Sequence, residues 1–300
     1  MHGMLSVVVL AATTTYLAGG EAERPRFVPS GKESYRFDTG VLRGTLRRGG
    51  KSLGLTEVVH VPTGTRLDKG YGLFGHYRVF AGDKRFGGGA WYWPSQSKLL
   101  PDGAVRVDWP AADDRPFELT AVYRWAGPAA LDLETTVRAK ADLPAFESFL
   151  ACYFSPAFPA SEVYAKGNGG PAFLLADRES GAWQMFPRDA GAVKLIQDGR
   201  WTRPPSPVAW AIRPPLAAPL GIRRAKGPGL IAAIMARPQD CFAVATPFAG
   251  EGHRSLYLSQ LGRDLRAGES ATARARLVVL ASSSPEDAVK AYREFIKASE

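Results

Sequence analysis

What most constrains this chain is a period of two. Phe117, Leu119, Ala121, Tyr123 and Trp125 fall on one side of an extended backbone; Glu118, Thr120, Val122 and Arg124 fall on the other. After the turn signal Gly127-Pro128 the pattern returns, with Leu131, Leu133, Thr135 and Val137 set against Asp132, Glu134, Thr136 and Arg138. Successive side chains of a strand point to opposite faces, so this spacing predicts an antiparallel hairpin with one face in a core and one in water. A similar run from Ala271 to Val279 follows the turn signal Arg266-Ala-Gly-Glu269. Further strands are expected at residues 34–39, 58–61, 77–81, 104–109 and 145–154, then at 182–186, 193–197, 208–212, 230–236, 241–246 and 255–261. The 32 Gly and 23 Pro of the 300 residues suit the many turns this requires. One helix is predicted, over 285–298, with Ser284 as N-cap, Pro285 at its first position and Asp287 as capping-box acid. Strands without helices between them argue against a parallel α/β sheet. The expected fold is all-β, a large antiparallel β-sandwich with one C-terminal α-helix, in a single domain over residues 21–300.

Residues 1–20 carry no Asp, Glu, Lys or Arg, and an apolar run from Leu5 to Leu17 ends in Ala18-Gly19-Gly20. This reads as a signal peptide and predicts a secreted or periplasmic protein, free of the membrane after cleavage. With 45% hydrophobic and 22% charged residues, the rest has the composition of a globular protein. The net charge is +9, and 27 of the 38 bases are Arg. Guanidinium meets carboxylate and sulfate through a planar fork, so this excess suits an anionic partner. The bases form no continuous block, which disfavours nucleic acid. Cys152 and Cys241 lie in strand-like apolar runs that suit either one disulfide or two buried thiols.

Candidate functional residues gather in three places. His76 closes the Gly-rich segment Lys69-Gly-Tyr-Gly-Leu-Phe-Gly-His-Tyr-Arg78, whose glycines allow a ligand close to the backbone. Just beyond stand Arg85, the triplet Gly87-Gly-Gly89, Trp91, Tyr92 and Trp93; such rings stack on the C–H faces of sugars. Arg188, Asp189, Asp198, Arg200 and Trp201 form a second cluster, in which Asp198-Gly199 reads as a hairpin turn and an Asp–Arg salt bridge is the simplest role. His253 sits in the turn Glu251-Gly-His-Arg254, whereas His60, between Val59 and Val61, reads as a half-buried sheet residue. No G-x-S-x-G, H-E-x-x-H or C-x-x-C pattern occurs, which disfavours serine hydrolases and zinc proteases.

The C-terminal third runs Asp240-Cys-Phe-Ala-Val-Ala-Thr-Pro, then Glu251-Gly-His-Arg-Ser-Leu-Tyr-Leu-Ser259, then Gly262-Arg-Asp-Leu-Arg-Ala-Gly-Glu269 before a last strand and helix. That order resembles the galactose-mutarotase-like β-supersandwich proteins, and the hairpin over 117–137 resembles their central strands. The resemblance spans about residues 30 to 300 and implies a carbohydrate partner on the concave face of one sheet. The N-H-x-Y-F-like histidine motif of aldose 1-epimerases is absent.

These readings together predict an exported carbohydrate-active enzyme, lyase- or epimerase-like, in which His76 and His253 meet in one cleft. In epimerisation, Glu251 or Glu147 would exchange protons with the sugar together with His76. In β-elimination from a uronate, Arg78, Arg85 or Arg200 would neutralise the carboxylate, His76 or Tyr77 would take the C5 proton, and Tyr257 would protonate the leaving oxygen. No cofactor is needed, although a divalent metal on His76, His253 and a carboxylate is a third route. The alternative is a non-catalytic glycan-binding module that uses Trp91 and Trp93 as its platform.

Overall fold

The computed structural model describes residues 24–48, 51–227 and 229–299. The expected signal peptide lies outside these residues. Two large sheets pack face to face, one of twelve strands and one of nine among the described residues. The centre of the first sheet runs Lys51–His60, Asp68–Ala81, Leu143–Phe154, Ser255–Leu265, Cys241–Pro247, Trp183–Pro187. The second is built around Ile231–Ala236, Ser270–Leu280, Ala130–Ala139 and Phe117–Gly127. Pairing is antiparallel except where Trp183–Pro187 meets Ala211–Ile212.

The hairpin forms with Leu119 opposite Val137 and Trp125 opposite Leu131. Its five inward residues, Phe117 to Trp125 on alternate positions, are each 1% exposed or less. They meet the first sheet directly: the Trp125 ring lies 4.8 Å from that of Phe37, and the Tyr123 hydroxyl donates to the Phe74 carbonyl at 2.9 Å. Burying each large side chain contributes roughly 1.5–3 kcal/mol, so this hairpin is a principal source of stability.

The helix Pro285–Ala298 lies on the outer face of the second sheet, where Ala288 and Phe295 pack on Ile222, Ile231, Met235 and Val278. Its expected capping box does not form. The Ser284 hydroxyl turns to the Glu286 carboxylate, and Asp287 accepts from the Ser282 hydroxyl.

Three other expectations are corrected. Residues 193–197 fall largely in a short helix, Ala190–Ile196, started by Asp189, whose carboxylate accepts the Ala192 N–H at 2.9 Å. Asp198-Gly199 leads into a 3₁₀ turn, Arg200–Thr202, instead of a hairpin. Of 208–212 only Ala211–Ile212 pairs as a strand. The strand Leu216–Arg224 was not anticipated, because it is buried on both faces and shows no alternation. Cys152 and Cys241 are free buried thiols, and burial pushes each up to about 12.

Candidate functional site

The site begins with an extra residue. Where Asp68–Ala81 pairs with Leu143–Phe154, Val79 stands opposite Ser148 and His76 opposite Leu150. Tyr77 and Arg78 therefore both face the single residue Phe149, which is a β-bulge. In an unbroken strand these two side chains would take opposite faces. The bulge brings both to the outer face of the first sheet, while His76 and Val79 point into the interior.

The floor continues across the neighbouring strands. Ala151 stands opposite Tyr257 and Phe149 opposite Ser259, so Phe149, Tyr153 and Tyr257 share the outer face. Ala243 and Ala245 come next and are buried in the same cluster as these rings. Trp183 flanks them from the following strand. Trp201, the stretch Ser206 to Val208, Trp210 and His253 wall a cavity of about 270 Å³ over this floor. Its rings brace one another: Phe149 stacks on Tyr257 at 4.6 Å and meets the edge of Trp201 at 4.7 Å.

His253, at the rim of the cavity, is hydrogen-bonded to Glu251. His253 Nδ1 lies 2.8 Å from Glu251 Oε1, and the His253 backbone N–H donates to Glu251 Oε2 at 2.6 Å. A carboxylate at Nδ1 favours the tautomer protonated there and leaves Nε2 as the basic nitrogen. The imidazole packs 5.2 Å from Trp183 and its side chain is 52% exposed. Deeper in, the Tyr257 hydroxyl donates to that of Tyr153 at 3.4 Å. Burial pushes Tyr257 up to about 12 and Tyr153 higher still, so both phenols are protonated at neutral pH; the Tyr257 hydrogen goes to Tyr153, which leaves the Tyr153 hydroxyl as the donor toward the cavity.

Arg78 is only 4% exposed. Its Nη2 donates to the Ser206 carbonyl at 2.7 Å, and its guanidinium lies 5.1 Å from the rings of both Tyr77 and Trp201. Nε and Nη1 are buried and bond to nothing among the described residues.

Other sequence candidates stand elsewhere. His76 is fully buried between the sheets, with Nε2 2.9 Å from the Thr135 hydroxyl of the second sheet and its ring 5.2 Å from Trp109. Burial lowers its pKa to about 3, which keeps it neutral. The expected cleft between His76 and His253 is therefore not built, nor is a metal site shared by them, because the two imidazoles lie on opposite faces of the first sheet. Among the described residues no group of three His, Cys, Asp or Glu is placed to hold a metal ion.

Trp91 is buried and stacks on Tyr77 at 4.4 Å, backing the site without facing it. Trp93 lies in the inter-sheet core, 6.0 Å from Phe117, with the Arg115 guanidinium 4.2 Å from its ring. The pair thus forms no exposed platform. Arg200 is fully buried in an ion pair with Glu147 at 3.1 Å and Asp198 at 2.7 Å, which also ties up Glu147. Arg85 stands beside the pocket, donating to the carbonyls of Gly87, Gly88 and Pro205. His60 bonds Thr63 at 2.8 Å, away from the cavity. The sequence reading passed over Phe149, Tyr153, Trp183 and Trp210 as site residues. Their one local signal is the alternation Phe149, Ala151, Tyr153 within an apolar run.

No protein-family model and no curated protein matches the chain. Solved structures do match. The Slr1438 protein of Synechocystis sp. PCC 6803 aligns with a TM-score of 0.52 at 12% identity, over 89% of this chain and 100% of that one. The galactose 1-epimerase of Lactobacillus acidophilus NCFM aligns with a TM-score of 0.51 at 10% identity, over 86% of this chain and 99% of that one. The chain therefore shares its fold with these proteins, as the resemblance to the galactose-mutarotase-like β-supersandwich proteins led one to expect; at such identities the likeness is one of fold alone.

Proposed function

We propose that this protein is an exported carbohydrate-active enzyme that acts on a sugar or uronate by general acid–base chemistry, lyase- or epimerase-like. One observation carries the reading: the hydrogen-bonded His253–Glu251 pair stands at the rim of an aromatic-walled cavity floored by neutral phenols. His253 Nε2 takes the proton from the sugar, Glu251 stabilises the imidazolium that results, and Tyr153, itself accepting from Tyr257, donates to the oxygen that gains negative charge. The half-buried indoles of Trp183 and Trp210 supply stacking surfaces for the ring, with the buried Trp201 behind them. The fold shared with a galactose 1-epimerase supports carbohydrate as the ligand class.

The same indole walls favour a second reading, a glycan-binding module without turnover. An assay of anomeric exchange and of unsaturated-uronate formation, run over neutral and uronic oligosaccharides, separates the two. Turnover that is lost in His253→Ala supports the enzyme. Binding without turnover, weakened by Trp210→Ala and indifferent to His253→Ala, supports the module.

A further inference from the structure

Among the described residues no carboxylate pairs with the charge of Arg78. A buried guanidinium is costly unless it is paired. Arg47 is met by Glu33 at 3.2 Å, and Arg200 by two carboxylates. Arg223 also lacks an acid, but it lies in the interior against Phe154, tied to the carbonyls of Phe158, Pro159 and Ser255. Arg78 alone of these four lines the cavity, and among the described residues its one hydrogen bond goes to a backbone carbonyl.

That carbonyl belongs to an exposed stretch of wall. Arg85 holds Pro205 and Arg78 holds Ser206, so two guanidiniums grip adjacent residues of the same segment. Burial and then the neighbouring charge of Arg78 disfavour the charge on Arg85. Ser206 is exposed and sits at φ 59°, in the left-handed region that is strained for a non-glycine residue. A neutral carbonyl on such a segment is a weaker partner for guanidinium than an anion, whose hydrogen bonds are roughly twice as strong. Released from Arg78, it would turn to water at little cost.

The geometry points to Arg78 as the receptor for the anionic group, carboxylate or sulfate, of an acidic saccharide, with the Ser206 carbonyl standing in its place until the ligand displaces it. This rests on reading the cavity as a carbohydrate site and names the class of carbohydrate.

Tryptophan fluorescence follows binding, since three indoles line the cavity. The probes are matched pairs: galacturonate, glucuronate and mannuronate oligosaccharides with their methyl esters, and a sulfated galactose oligosaccharide with its desulfated form. The full chain is expected to bind the acid member of at least one pair about tenfold or more tightly than the neutral member. Arg78→Gln is expected to bind both members at the neutral affinity, and Arg78→Lys to keep an intermediate preference. Whether the uronate or the sulfate pair shows the preference identifies the anion. Equal affinity for both members, or an undiminished preference in Arg78→Gln, overturns the proposal and leaves the carbohydrate reading intact. Binding to none of the probes overturns both. If Arg78→Gln fails to fold, the acid–ester comparison on the unmodified chain still decides.

Discussion

The two sheets finish their outer faces in different ways. On the second sheet the helix Pro285–Ala298 covers the apolar part. The polar remainder is a set of opposed charges: Arg276 with Asp132 at 2.6 Å, Arg274 with Glu134 at 3.1 Å, Arg106 with Asp108 at 2.7 Å. The first two of these pairs bridge neighbouring strands and the third runs along one strand, and together they balance charge across this face. The outer face of the first sheet instead gathers Tyr77, Phe149, Tyr153, Trp183 and Tyr257 under a hollow and leaves Arg78 without an acid. A surface completed by its own charges needs nothing from outside. One that holds a buried guanidinium beside an aromatic-walled hollow is, on our proposal, completed by a ligand.

The contrast can be broken at its active side first. His253→Ala is expected to lower turnover of the carbohydrate substrate by about 10²- to 10⁴-fold, the usual contribution of a positioned acid or base, while leaving the melting temperature unchanged because the side chain is half exposed. An unchanged rate would move the chemistry off the rim. Next in size is Arg200→Ala, expected to cost about 3–5 kcal/mol in urea unfolding because it strands the buried Glu147 carboxylate. A small loss there would mean that Glu147 protonates readily when unpaired.

His76 sharpens the comparison through pH. In the unfolded chain it binds a proton near 6.5, but in the folded chain only near 3. Between those values the unfolded state holds more protons, so stability is full above about pH 6.5 and falls as pH drops toward 3. His76→Gln is expected to flatten that limb by up to a few kcal/mol (~1.4 per pH unit), read from urea midpoints at a series of pH values. The smallest effect belongs to Arg78→Gln, expected to shift stability by no more than about 1 kcal/mol, because no carboxylate loses its partner. Arg200 and Arg78, both buried, would then differ in stability cost for a reason visible in their partners alone.

Much of the architecture was legible along the chain. The hairpin of Phe117 and Leu131 and the helix beginning at Pro285 follow from periods two and 3.6, which are local properties of the backbone. Tyr77, Arg78, Trp201, Glu251, His253 and Tyr257 were all singled out by chemistry, and the fold gathers them at the pocket or its rim. His76 and Trp93 were singled out on the same grounds and lie in the interior. Phe149 and Tyr153 went unnoticed as site residues because both faces of their strand are apolar, one turned to the second sheet and one to the cavity.

The amino-acid order by itself determined which side chains alternate, where the chain turns and where the last helix starts, since each depends on residues a few positions apart. Only tertiary structure decided which face of each strand is sealed and which is open. A face is defined by what packs against it, and the doubled position opposite Phe149 exists only when two strands more than sixty residues apart are laid side by side. That pairing puts Arg78 in the pocket and His76 behind it.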